Sequence, residues 1–238
     1  MELDWAKRGL KVGVLPLEES VGQSALGILG LDAGVNVQTQ DMEAVSGSIL
    51  QDNWEGLADR FVFCEDEGMR DEAWVFDRLR YMAVGCGCDI IVVDPLTVVI
   101  GAQTQRDDRK FADILVTGLE SLVKRTGVSV MVSMHLRKVR EGRSHEEGQR
   151  VSMSDVRGSG LIAALSHNVI AYERDQQADD PTVSRLRVLK CRRTGRTGAS
   201  DWLRFDEGTG RLGTTSDPSA VDEHAALLQP QGDGVQDF

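Results

Sequence analysis

Apolar and polar positions along the chain fall into blocks that switch between two periods. Val12–Leu17 (VGVLPL) is short and almost wholly apolar, and predicts a buried strand. Ser20 follows with Gln23 three positions on, a capping-box pattern that opens a helix. Residues 43–60 carry a weak helical pattern. Asp71–Val84 carries a better one, closed by Gly85. Asp89–Asp94 (DIIVVD) is β-branched and apolar inside, which fits a parallel strand buried on both faces. The clearest helix comes next. Phe111, Ile114, Leu115, Leu119, Leu122 and Val123 share one stripe of helical period, and Gly127 ends it. Val128–Met134 predicts another buried strand, and Ser154–Ala164 a short helix after a loop. Asn168–Tyr172, Val183–Cys191 and Asp201–Phe205 predict later strands. Apolar strands alternating with helices give an α/β class with a mostly parallel sheet. No internal repeat is visible.

The 238 residues, 41% of them hydrophobic, suffice for one domain or two small ones. No apolar run reaches the roughly 18 residues of a membrane span, and the N-terminal residues do not read as a signal peptide. A net charge of −11 argues at first against a nucleic-acid partner. Its distribution changes that picture. Residues 1–80 are net −9, and Leu212–Phe238 holds five acids and no Lys or Arg, while residues 81–211 are net +3. Two basic stretches lie in that middle segment. One runs from Arg137 and Lys138 through Arg140 and Arg143 to Arg150 and Arg157. The other is Arg185, Arg187, Lys190, Arg192, Arg193 and Arg196. Of the 27 basic residues 21 are Arg, the side chain that grips phosphate bidentately, although GC-rich codon usage gives the same bias. The end of the chain, with Pro218, Pro230 and its acids, predicts a disordered tail.

Candidate chemistry sits where buried strands end, which is where open α/β sheets bind ligands. The first strand runs into Glu18, Glu19 and Ser20, the second ends in Asp94, and the third runs into His135. One carboxylate there can hold a magnesium ion through water, another can deprotonate an attacking water, and a histidine can bond a terminal phosphate. Each also has a plainer reading. Glu18 and Glu19 favour the start of the next helix through its dipole. Asp94 before Pro95 fits a turn, and a single histidine fits a structural role. Cys64, Cys86, Cys88 and Cys191 lack zinc spacing and read as free thiols. A phosphate-binding loop of the form G-x-x-x-x-G-K-S/T is not present: the chain contains no Gly-Lys dipeptide.

Seven segments carry a resemblance. They are V-G-V-L-P-L-E-E-S at 12–20, Y-M-A-V-G-C-G-C-D-I-I-V-V-D at 81–94, H-L-R-K at 135–138, H-E-E-G at 145–148, D-V-R-G-S-G at 155–160, Y-E-R-D-Q-Q at 172–177 and L-K-C-R-R-T-G-R-T-G at 189–198. In this order and spacing, the chain resembles the helicase domain of bifunctional phage primase–helicases and mitochondrial Twinkle, and more distantly the DnaB helicases. The resemblance implies a RecA-like P-loop NTPase core over residues 1–212, lacking its P-loop strand, and an acidic flexible tail over 213–238. It implies nucleoside triphosphate hydrolysis, of ATP or dTTP with Mg2+, coupled to 5'-3' translocation on single-stranded DNA and duplex unwinding. The setting it implies is a homo-hexameric ring in the cytoplasm of a phage-infected cell.

Residue roles follow from the resemblance alone. Glu18 aligns with the glutamate that activates water, Asp94 with the aspartate that holds Mg2+ through water, and His135 with the histidine that senses the terminal phosphate. Arg192 aligns with the arginine finger that reaches a neighbouring subunit's nucleotide, and Arg174 with a second arginine at that interface. Arg137, Lys138, Arg143, Arg157, Gly158 and Ser166 match positions that hold single-stranded DNA. Asp237 and Phe238 match an acidic, aromatic-ended tail that docks on a replicative DNA polymerase.

The departures are specific. The chain starts inside the helix that follows the P-loop, with Asp4–Leu10 reading as that helix's end, so primase and P-loop regions are expected on an upstream segment or another chain. A glutamine that couples nucleotide state to the DNA loop aligns with Ala164, and the basic residue before it with Ala163. A nearby aspartate is His167, and a basic loop position is Glu141. These departures leave two alternatives: a non-catalytic helicase-like module, and a RecA-like recombination or repair ATPase.

Overall fold

A computed structural model of the chain describes residues 1–39, 47–65, 68, 71–101, 108–139, 142–157 and 160–218. Two four-stranded sheets organise it.

The first sheet is parallel throughout, in the order β2-β1-β3-β4, with β1 at Val12–Pro16, β2 at Phe61–Phe63, β3 at Ile90–Asp94 and β4 at Ser129–Val132. Alternate side chains of a strand point to opposite faces, and both faces here are covered. On one face Leu15, Ile91 and Val93 pack against α4 (Glu72–Arg80), α5 (Leu96–Gly101) and α6 (Asp108–Thr126). On the other, Val12, Val14 and Val92 meet Ala6 of α1 (Glu2–Lys7), Ile28 of α2 (Val21–Ala33) and Leu57 of α3 (Gly47–Leu57). This double burial explains why the strands read as apolar runs rather than as alternating patterns.

Local signals act as read. Ser20 and Gln23 form the capping box that starts α2: the Gln23 N–H donates to Ser20 Oγ at 3.2 Å and the Ser20 N–H to Gln23 Oε1 at 2.9 Å. Asp71 caps α4 by accepting from the Trp74 N–H at 2.8 Å. In α6 the residues buried are Phe111, Ala112, Leu115, Val116, Leu119 and Leu122, whereas Ile114 is 47% exposed. At 100° per residue Ile114 lies roughly 130° from the centre of that stripe, so its place in the expected apolar face is corrected. Gly118 permits close helix packing, since a Cβ there would lie 2.0 Å from Cζ of Phe76. The expected helix at 154–164 divides into a 3-10 turn at Met153–Asp155 and α7 at Gly160–Leu165.

The second sheet is antiparallel, in the order β5-β6-β7-β8: Asn168–Arg174, Val183–Cys191, Gly198–Phe205 and Leu212–Thr215. Strand β8 carries regular structure three residues past the expected domain boundary at 212. Polar contacts fasten the sheet to the rest. Arg211 Nε donates to the Leu31 carbonyl at the end of α2 at 3.0 Å, and Lys190 Nζ donates to the Ala163 and Ala164 carbonyls at the end of α7 at 2.6 and 2.8 Å. Among the described residues β4 pairs only with β3 and β5 only with β6, so each sheet keeps an open edge. No described helix is long and apolar enough to cross a membrane.

Candidate active site

Three parallel strands deliver their ends to one place. In register, Pro16 of β1 stands beside Asp94 of β3, and Val93 beside Val132 of β4. The backbone clamps the junction: the Leu17 N–H donates to the Asp94 carbonyl at 2.8 Å and the Ser133 N–H to the Val93 carbonyl at 3.1 Å. Beyond the clamp the chains turn out to solvent. Leu17 is buried, while Glu18, Asp94 and His135 are exposed. His135 Nε2 lies 3.3 Å from Glu18 Oε1, so side chains from the two strands flanking β3 meet at the sheet end that carries Asp94. Glu18 and Glu19, equivalent in sequence, part company here. Glu19 accepts from the Ser24 hydroxyl at 3.0 Å and serves the start of α2, while Glu18 faces His135.

Asp94 accepts a hydrogen bond on Oδ1 from the Ser133 hydroxyl. Sequence reading missed Ser133. Among the described residues no cluster of three or more His, Cys, Asp or Glu can hold a metal. Asp94, an exposed carboxylate at a strand end, is the kind of donor that Mg2+ takes when water and substrate phosphate fill its other positions.

The basic loop hangs from this site by a two-bond neck. The Arg157 N–H donates to the His135 carbonyl at 3.2 Å, and the Arg137 N–H to the Asp155 carbonyl at 2.7 Å, with Leu136 and Val156 bridged antiparallel. Arg137, Lys138, Arg143 and Arg157 are all exposed. The far part of the loop rests on the end of β5. Arg143 Nη2 pairs with Asp175 Oδ2 at 3.0 Å, and the Gln176 N–H donates to the Glu146 carbonyl at 2.9 Å. Gly148, at φ +80°, is required there, because a Cβ would lie 2.8 Å from the Asp175 carboxylate. The Ser152 hydroxyl holds the Asp155 carboxyl below its usual range at the base of the loop. Ser166 uses its hydroxyl locally, donating to the Ile162 carbonyl at 2.6 Å. Gly158, Glu141, Asp237 and Phe238 lie outside the described residues.

Arg192 stands just past β6, exposed. Its Nη2 donates to the Ala164 carbonyl at 2.6 Å and its N–H to the His167 carbonyl at 2.7 Å. Arg174 ends β5, with Nε donating to the Pro181 carbonyl at 2.6 Å. The antiparallel register pairs Asn168 with Cys191 and Arg174 with Ser184, so the two arginines occupy opposite ends of the hairpin. At about 3.3 Å per residue they are separated by roughly 20 Å of strand. A separate cleft of about 450 Å³ opens between residues 149–155 and the β6–β7 pair, lined by Arg150, Ser152 and Arg187 among others, away from the three strand ends.

Residues 2–212 match the family described as DnaB-like helicase C terminal domain. The chain belongs to that family. It is 38% identical over 242 residues to a DNA helicase/primase of Enterobacteria phage T3, covering 99% of this chain and 43% of that protein, so it spans less than half the relative's length. Among solved structures, an ATPase domain superposes with a TM-score of 0.72 at 16% identity, covering 90% of this chain and 78% of its own. A DnaB-like replicative helicase, solved for its interactions with primase, gives 0.69 at 17% identity over 87% of this chain and 51% of its own. At those identities the structures speak for the RecA-like α/β fold alone.

Proposed function

We propose that residues 1–212 form the motor part of a replicative DNA helicase, in which nucleoside triphosphate hydrolysis moves the protein along single-stranded DNA. The observation that carries this reading is the convergence of Glu18, Asp94 and His135 at adjacent strand ends, with His135 also serving as the neck of a basic loop. A bound Mg2+ would neutralise charge on the nucleotide phosphates. Asp94 is the residue that would hold that ion, through its water shell. Glu18 takes a proton from the attacking water, a step worth roughly 10²–10⁴ in rate. The entering terminal phosphate competes with Glu18 for the His135 N–H, releases the glutamate as base and shifts the neck of the loop. Arg192 reaches the nucleotide of a neighbouring copy and stabilises charge in the transition state.

The phosphate cradle comes from outside residues 1–238. It rests on the open β4 edge, next to His135, where an added strand would also cover the half-buried Val130, Met131 and Val132. Arg137, Lys138, Arg143 and Arg157 hold the DNA backbone without reading bases, which suits movement on any sequence. A hexameric ring, 5'-3' polarity, ATP or dTTP as fuel, and docking of Asp237 and Phe238 on a polymerase complete the proposal. The test is Glu18→Gln in the ring-assembled protein that carries this chain. The variant should retain nucleotide and DNA binding and lose DNA-stimulated hydrolysis by a factor of about 10² or more. Hydrolysis within twofold of the parent would overturn the reading.

A further inference from the structure

We infer that Ser133 is the positioning residue that sets which oxygen of Asp94 faces the metal ion, an inference that rests on the function proposed above. Three contacts of Ser133, the residue just after β4, bracket the aspartate. The Ser133 N–H donates to the Val93 carbonyl at 3.1 Å, its carbonyl accepts from the Leu96 N–H at 3.0 Å, and its hydroxyl donates to Asp94 Oδ1. The first two hold the β3 end and the turn into α5 on either side of Asp94. The third acts on the carboxylate itself. A carboxylate at a strand end rotates about its Cβ–Cγ bond, and a fixed donor on one oxygen stops that rotation. Oδ1 is then satisfied by the protein, and Oδ2 is the oxygen that would remain to hold the water shell of a bound ion.

The hydroxyl is well placed for this task. Ser133 is half-buried and held at both backbone groups, so its side chain starts from a fixed base, whereas Asp94 itself is exposed. Carboxylate ligands are generally oriented by such hydrogen bonds, and removing the partner typically costs about 10–100-fold in metal affinity or activity. Ser133 and His135 both lie in the three residues that follow β4, so one short segment bonds the Asp94 carboxylate and places the His135 ring beside Glu18.

The experiment compares Ser133→Thr with Ser133→Val in the ring-assembled protein. These side chains have nearly the same shape and differ in the hydroxyl, and both leave the backbone bonds in place. Mn2+ is titrated by electron paramagnetic resonance in the presence of a non-hydrolysable ATP analogue, and the magnesium dependence of hydrolysis is measured alongside. Thr should bind Mn2+ within threefold of the parent. Val should bind about 10–100-fold more weakly and need correspondingly more magnesium, while kcat at saturating magnesium stays within threefold. Equal Mn2+ affinity for Thr and Val overturns the inference, as does a Val variant that loses kcat with no change in its magnesium requirement. If Glu18→Gln remains active, the proposed function itself fails, whatever Ser133 does.

Discussion

The parallel and antiparallel sheets hold together by different means, and the difference maps onto what each presents. The parallel sheet is buried on both faces. β1 is apolar throughout and β3 is apolar up to Asp94, its last residue, and the polar Glu18, Asp94 and His135 stand at or just beyond the strand ends. The antiparallel sheet buries few large side chains; Ile170 and Tyr172 on β5 are 62% and 46% exposed. Its adhesion is largely ionic and aromatic. Arg187 forks onto Glu173 at 2.6 and 3.0 Å with both side chains 11% exposed, the Val151 N–H adds to the same carboxylate at 2.9 Å, and Arg185 stacks 4.5 Å over Trp202. A sheet packed on both sides gives the site a fixed floor. A sheet laced by arginines leaves Arg192 exposed just past β6, with its guanidinium on the Ala164 carbonyl at the end of α7.

The largest effect that separates the two is catalytic. Arg192→Ala should lower DNA-stimulated hydrolysis by about 10³–10⁵ while ring assembly, followed by size-exclusion chromatography, stays intact. Loss of assembly in that variant would make Arg192 a structural tether to α7 instead.

The next effect is on stability. Phe111→Ala, in the core under the parallel sheet, should cost about 3–5 kcal/mol in urea unfolding. Tyr172→Ala, on the open face of the antiparallel sheet, should stay within about 0.5 kcal/mol. Similar losses would mean the two sheets are not held together differently.

A smaller effect depends on pH. Burial works against the Glu173 charge, but the Arg187 fork and the Val151 N–H together hold its carboxyl below the ordinary range. A depressed pKa contributes stability above the unfolded value, and that stability disappears as pH falls through the folded value. Glu173→Gln should therefore cost about 1.5–3 kcal/mol at pH 7 and progressively less on acidification below about pH 4. A constant difference from pH 7 to pH 3 would show that the contact is not ionic in origin.

The smallest difference is in thiol reactivity. Burial, first of all, pushes the Cys88 thiol of the parallel-sheet core up to about 11, while the Thr194 hydroxyl, 3.1 Å from Sγ, holds Cys191 below its ordinary value. Iodoacetamide at pH 7.5 should modify Cys191 well before Cys88, read by peptide mass spectrometry. The reverse order would contradict the assigned burial.

The parallel sheet was the more legible of the two, for a physical reason. Strands buried on both faces must be apolar throughout, so their ends stand out, and Glu18, Asp94 and His135 stand out with them. Ser133 carried no such mark, because a half-buried serine just past a strand has no pattern of its own. Helix α5 was missed because the run after Pro95, L-T-V-V-I-G, is β-branched, and tertiary packing overrides that preference. Strand β2, three residues long, is too short to show a period. In the antiparallel sheet the strands were readable and the geometry was not. Only the observed register reveals that Arg174 and Arg192 lie at opposite ends of one hairpin.

The central claim is that one subunit's parallel-sheet site works with another subunit's Arg192. Mixing Glu18→Gln protein with Arg192→Ala protein tests it most directly. Each variant alone is inactive, but a mixed ring contains interfaces where an intact Glu18 meets an intact Arg192. DNA-stimulated hydrolysis should reappear on mixing and rise and fall with the mixing ratio. Mixed rings that form and remain inactive at every ratio would contradict the account.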